Sequence, residues 1–165
     1  MEVDSAVLAI VWGDPPRVLV VRKSCSSPGY WACDLALPGG SIEAGENPIA
    51  TALREAWEEA GVHPSMVEVK GIIGVESAAR GLRRVAIVLG KPRGPIDPKP
   101  SSEEVDFVGW LDLRLVLEEP REVLHPRRGV VLGLELPGQL VLWGFTFRAL
   151  RKIAEWLAGD WGGVS

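Results

Sequence analysis

Glu55, Glu58 and Glu59 stand at i, i+3 and i+4 within the stretch GGSIEAGENPIATALREAWEEAGV, residues 39–62. On a helix that spacing brings the three side chains out together within about one turn, where like charges repel by about 0.2–0.5 kcal/mol per pair. Something cationic should compensate. Carboxylate oxygens are hard ligands that suit Mg2+ or Mn2+, ions that also bind phosphate oxygens and so join a protein to a diphosphate. Arg54, next to Glu55, can orient its carboxylate by hydrogen bonding. Gly39 and Gly40 let the backbone approach a metal or phosphates, and the Gly39 carbonyl can serve as a further oxygen ligand. An ordinary solvated acidic helix pairs its glutamates with nearby lysines. Here the only internal base is Arg54, and the cluster follows a double glycine at a fixed distance.

A helix must carry those carboxylates. Pro48 suits its first turn and Gly61 the left-handed position just past its end, so it is expected over these limits. Ile49, Ala52, Leu53, Ala56 and Ala60 then gather on one side and face the core, while the glutamates emerge on another. Upstream, Ala6–Val11 and Val18–Arg22 are β-branched apolar runs joined by Gly13-Asp14-Pro15-Pro16, which predicts a hairpin. A polar loop, Ser24–Gly29, leads to a strand over Trp31–Leu37, which Pro38-Gly39-Gly40 ends in a tight connection. Trp31 is assigned to core packing in preference to stacking on a base. Downstream, Val67–Val75, Arg84–Leu89 and Val105–Leu111 read as strands. Lys91–Ser102 holds Pro92, Pro95, Pro98 and Pro100 and must run over the surface as a stiff loop. Val130–Leu136 and Leu140–Trp143 pair around Pro137-Gly138-Gln139. A last helix, from about Phe145 to Leu157, sets Phe145, Ala149, Ile153 and Trp156 on one face.

With 165 residues, 47% of them apolar, the chain can build one compact core and is short for two, so residues 1–165 are read as a single domain. The net charge of −4, with both signs interspersed, lacks the basic footprint of a protein that binds duplex nucleic acid. No apolar run approaches the roughly 18–20 residues that span a bilayer, and Met1–Ser5 has no basic flank, so a cytoplasmic protein without membrane association is expected. Cys25 and Cys33 lack a metal-binding CxxC spacing, and a domain of this size does not need a disulfide scaffold; both read as free thiols. His63 and His125 are isolated and read as structural or exposed, which counts against a histidine-based metal site.

The segment resembles the Nudix box, in which a glycine is followed at fixed spacing by a glutamate, an Arg-Glu pair, a Glu-Glu pair, and a glycine with an aliphatic. Gly40, Glu46, Arg54, Glu55, Glu58, Glu59, Gly61 and Val62 fall in register. Ala56 stands where a larger aliphatic is usual, which suggests closer helix packing. The strand order around the box is also similar to the Nudix fold, an α+β fold in which an α/β/α sandwich encloses a mixed sheet. The resemblance implies metal-dependent hydrolysis of a diphosphate bond in a nucleoside diphosphate linked to another moiety, by attack of water on phosphorus. It implies Glu55, Glu58 and Glu59 as ligands of Mg2+ or Mn2+, joined by Gly39. Glu55, Arg54 and Glu104 form the expected catalytic group: Glu55 is a candidate proton acceptor, and Glu104 is the loop carboxylate, with Glu103 as the alternative. Glu46 is an outer ligand or a structural partner.

Arg22 is the candidate for substrate phosphates, with Arg80, Arg83 and Arg84 as further bases that can meet them. Thr51-Ala52-Leu53-Arg54-Glu55-Ala56 and Trp143-Gly144-Phe145-Thr146 look like the coenzyme A pyrophosphatase branch of the family. The chain departs from that branch at Gly29 and Cys33, and its box lacks the branch's usual extra residue. ADP-ribose hydrolases often carry a proline beyond the box where Ser77 and Ala78 stand here. The substrate reading is therefore a nucleoside diphosphate derivative that is coenzyme A-like, ADP-ribose-like or related, and a homodimer is left open. The rival reading is a catalytically silent Nudix-fold nucleotide-binding module. Such modules typically lose box glutamates, and all are kept here.

Overall fold

The computed structural model describes residues 2–160. Strand β1 (Ser5–Trp12) is buried from Ser5 to Val11 because both faces of its sheet are covered. Ala6, Leu8 and Ile10 enter one core and Val7, Ala9 and Val11 the other, the two-residue alternation of a strand with no solvent face. One edge of β1 pairs in parallel with β6 (Arg83–Pro92), which continues antiparallel into β5 (Val67–Ala78). Two strands share the other edge. β2 (Arg17–Lys23) meets β1 only at Val11 and Trp12, completing the predicted hairpin, whereas β4 (Gly39–Ser41) covers Ser5 to Val7. Beyond the hairpin, β2 pairs with β3 (Leu35–Ala36) and β7 (Val105–Asp112). The double glycine thus enters the sheet where β1 parts from β2. A side chain at Gly39 would run into the Ala6 carbonyl oxygen and Val7, so that position needs glycine.

Helix α1 (Pro48–Ala60) has the expected limits, and its caps explain them. Asn47 Oδ1 accepts from the Ala50 N–H at 2.8 Å, and Pro48 opens the first turn. Gly61, at φ 69°, turns the chain out while its N–H donates to the Trp57 carbonyl. Ala52, Ala56 and Ala60 are fully or almost fully buried against the first core, and their small size lets the helix lie close to β1 and β4. A small sheet of β8 (Arg121–His125), β9 (Gly129–Leu136) and β10 (Leu140–Trp143) leads into helix α2 (Gly144–Asp160). Ala149, Leu150 and Ile153 of α2 are fully buried in the second core, Leu150 and Ile153 contributing about 1.5–3 kcal/mol each. Phe145 and Trp156 pack partly buried beside them. A mixed sheet with one helix on each face is the expected α+β sandwich.

The loop between β2 and β3 differs from expectation. The strand read over Trp31–Leu37 shrinks to Leu35–Ala36, because Gly29–Asp34 folds into turns in which Ala32 N–H bonds Gly29 O and Asp34 N–H bonds Trp31 O. That fold reverses the chain, with Cys33 at φ 67° and its N–H on the Lys23 carbonyl. Cys25 and Cys33 are brought to a Cα separation of 4.3 Å and form a disulfide, so they are not the free thiols expected from spacing alone. Trp31 stands on these turns with 53% of its surface exposed and is not a core residue. Gly39-Gly40 form a short strand instead of a simple connection, and β8, absent from the sequence reading, pairs with β9.

Candidate active site

Glu59, the next-to-last residue of α1, is only 2% exposed. Its carboxylate accepts from Lys23 Nζ at 2.6 Å and from the Gly39 N–H at 3.3 Å. Burial pushes its pKa up, the Lys23 charge opposes that, and the Glu104 charge adds to it. Glu55 lies one turn earlier, its side chain mostly covered. An added Cβ at Gly40 would sit 2.5 Å from its Oε1, so glycine is what leaves room for the carboxylate against β4. Burial and then the Glu59 charge raise the Glu55 pKa, against the pull of Arg54. Two carboxylates drawn out of water, each with one cationic partner, therefore face the Gly39-Gly40 strand.

Arg54 organises the polar side of the helix. Its Nε bonds Glu46 at 2.7 Å, and Nη1 reaches Glu55 at 3.0 Å and Glu58 at 3.3 Å. Glu46 is the anchor of this fork: it also accepts from Thr51 Oγ1 at 2.8 Å and the Glu43 N–H at 3.0 Å. Those bonds, the Arg54 one foremost, hold its pKa down to about 2. The arginine is correspondingly more basic than usual, chiefly through Glu46. Glu58 is half exposed and turned toward Arg54.

The structure brings Gly39, Arg54, Glu55, Glu58 and Glu59 together, with Glu104 near enough for its charge to act on Glu59. Arg22 is placed elsewhere, paired with Asp106 at 2.7 Å. Lys23, which the sequence reading passed over, is the cation that reaches the cluster. The two-residue alternation of β2 was the signal: Leu19 and Val21 enter the core under α1, so Lys23 follows them on that face and Arg22 points away. The β2–β7 register shifts between Arg22 and Lys23, leaving Asp106 as the extra residue that takes Arg22, a bulge that re-aims side chains beside the site. Arg83 is tied to β4 beside Gly40, donating to Ser41 Oγ at 2.7 Å and to Ser5 Oγ. His63 is exposed and bonds Ser65, while His125 is buried with Nδ1 accepting the Arg127 N–H and Nε2 2.8 Å from Asp34, short of hydrogen-bond alignment.

Among the described residues no three His, Cys, Asp or Glu side chains enclose an ion by themselves. An open oxygen site still fits a hard divalent cation, because Mg2+ keeps several waters and takes one or two carboxylates plus substrate phosphates. The mostly covered Glu55 and the buried Glu59, close together beside a glycine-lined strand, are a donor set of that kind.

The NUDIX domain family matches residues 3–132. The chain belongs to the Nudix family. It is therefore a Nudix hydrolase, of a family that acts on pyrophosphate bonds and generally needs divalent metal ions. It is 31% identical over 157 residues to the Escherichia coli Nudix hydrolase NudL, covering 91% of this chain and 80% of that one. It is 33% identical over 119 residues to a MutT-like protein of Streptomyces ambofaciens, covering 72% and 70%. In fold, this Nudix chain is similar to a Caenorhabditis elegans Ap4A hydrolase (TM-score 0.66, 19% identity, 94% and 98% covered). It is also similar to the Shewanella oneidensis NrtR Nudix domain solved with ADP ribose (TM-score 0.59, 18% identity, 95% and 89% covered).

Proposed function

We propose that this Nudix hydrolase cleaves the diphosphate bond of a nucleoside diphosphate linked to another moiety, coenzyme A-like, ADP-ribose-like or related, with Mg2+ or Mn2+. The observation that carries the reading is the pair of carboxylates, Glu55 mostly covered and Glu59 buried, set against the Gly39-Gly40 strand with Lys23 as one close cation. Glu55, Glu58 and Glu59 would hold the cation, with the Gly39 carbonyl as a further oxygen. Bound there, the cation neutralises the diphosphate and stabilises the charge that develops on the departing phosphate.

The chain's own groups do the rest. Glu55 is the first candidate to take the proton of the attacking water, since a carboxylate made more basic by burial is a better general base than an ordinary one. Glu104, exposed at the start of β7, is the second. Arg54, anchored by Glu46, positions Glu55 and Glu58. Lys23 favours the charged form of Glu59 against its burial and holds it in place. Arg22 remains proposed for substrate phosphates, which would have to compete with Asp106 for it. The supporting fold relatives include one titled an Ap4A hydrolase and one solved with ADP ribose, so both ligand chemistries belong in the test.

The experiment is a panel of ADP-ribose, coenzyme A, dinucleoside polyphosphates, NADH and nucleoside triphosphates with Mg2+ or Mn2+, every product identified by mass. Cleavage between two phosphorus atoms of one panel member is expected. Saturable binding of a nucleotide with no cleavage of any member would return the chain to the silent-module reading.

A further inference from the structure

A second feature of the surface, a cleft, lies at the other end of the sheet. About 870 Å3 in volume, it opens between the β1–β2 turn and segment 91–96, within the size range of small-ligand pockets. Trp12 lines it with 46% of its surface exposed, and its ring meets that of Trp110 edge to face at 5.9 Å. Pro95 and Ile96 extend the apolar wall. The polar lining is chiefly cationic: Lys91 and Arg93 against Asp14. Arg17 adds a guanidinium 6.0 Å from the Trp12 ring. Neither the Lys91 nor the Arg93 side chain makes a hydrogen bond or ion pair among the described residues. The nearby acid, Glu68, is bonded to Lys70 at 2.9 Å and feels Lys91 and Arg93 only at longer range.

This cleft is not an annex of the carboxylate centre. Val7 of β1 faces Gly39, and Trp12 is five residues further along the same strand, about 16 Å away at a strand's rise. Leu8 and Ile10 fill the first core between them. A mononucleotide cannot touch both places.

We propose that the cleft binds a planar aromatic ring carrying an anionic group, the chemistry of a nucleoside monophosphate, independently of the hydrolytic centre. The ring stacks on the exposed indole of Trp12 and meets Trp110, gaining the dispersion and quadrupole contacts that the two tryptophans leave unused on their open side. The anion takes up Lys91 and Arg93, whose donors are otherwise given to water.

The test follows the indole N–H resonances of Trp12 and Trp110, assigned from Trp→Phe variants, while adenosine 5′-monophosphate is added to the full chain. The expected result is a saturable shift of both signals. Trp12→Ala and Arg93→Ala, both at exposed positions, should each weaken Kd by at least about fivefold while the other assigned resonances stay those of the folded chain. Adenosine should bind more weakly than the monophosphate, and ribose 5-phosphate should leave both signals in place. Indole-3-acetate separates the two sources of the anion: a shift as strong as that of the monophosphate assigns the site to aromatic carboxylates, a weaker one to phosphates. In Glu59→Gln the titration should be unchanged. Absence of a saturable shift, equal affinity for adenosine and its monophosphate, or loss of the shift in Glu59→Gln would each overturn the proposal.

Discussion

Lys23→Met removes the cation that lies 2.6 Å from a nearly buried carboxylate, with side-chain exposures of 16% for Lys23 and 3% for Glu59. At a charge separation of about 3 Å and an effective dielectric of about 20, the lost attraction is about 5 kcal/mol. Part of it returns because the lysine no longer has to leave water, and breaking one side of a buried pair costs about 3–5 kcal/mol in practice. The partial exposure of Lys23 places the expected loss near the lower end, about 3 kcal/mol, or roughly 6–12 °C in Tm for a chain of this length. The loss has a defined pH dependence. Glu59 has a folded pKa raised above its unfolded value, and raised further without Lys23, so the folded state binds the proton more tightly. Its destabilisation is full above that raised pKa and disappears as pH falls through it toward the ordinary carboxylate range. The Tm gap between wild type and Lys23→Met should therefore close on acidification, and Lys23→Met with Glu59→Gln should recover most of the loss. The assay is thermal unfolding of the four forms of the double-mutant cycle across pH, without metal. Equal Tm values for wild type and Lys23→Met, or a double variant no better than the single one, would refute the claim that this pair carries buried charge.

Gly39→Ala should destabilise the fold by about 1–3 kcal/mol, because its Cβ meets the backbone of β1, whereas Gly40→Ala meets only the end of the Glu55 side chain and should spare Tm while lowering kcat; unfolding and turnover measured side by side separate the two. Glu58→Gln should keep the fold, since the side chain is half exposed, and lose hydrolysis, which a turnover assay with Mg2+ checks. A chain ending before Val141 loses β10 and α2 with Ala149, Leu150 and Ile153, and should lose both its cooperative melt and its activity; full retention of both would contradict that.

Helix α1 was legible in the sequence because its signals are local. Asn47, Pro48 and Gly61 fix its ends, and the alanine stripe fixes its buried face. The strands were legible for the same reason, as runs of β-branched residues bounded by proline and glycine. What was not legible depends on contacts between distant segments. The disulfide follows from a chain reversal held by Lys23 and Asp106, and no spacing rule contains it. Trp31 reads as a core residue by type, but the turns at Gly29–Asp34 lift it to the surface. β8 is half charged and polar, RE in REVLH, and gains its strand form from β9. Lys23 is legible from strand alternation, which places it under α1 with Leu19 and Val21, whereas charge and type alone do not separate it from Arg22.

The central claim, hydrolysis by α1 carboxylates that hold a divalent cation, is tested most directly at Glu55. Turnover of the cleaved panel substrate is measured with Mg2+ and with excess chelator, in wild type and Glu55→Gln, with Tm recorded for each. Glutamine keeps the shape and removes one charge from a crowded face, so the metal-free fold should be unharmed or slightly more stable. Activity should require the metal, and the variant should turn over at least about 100-fold more slowly, the scale of a lost general base or charge-stabilising group. Full turnover in chelator, or a Glu55→Gln protein as fast as wild type, would contradict the account.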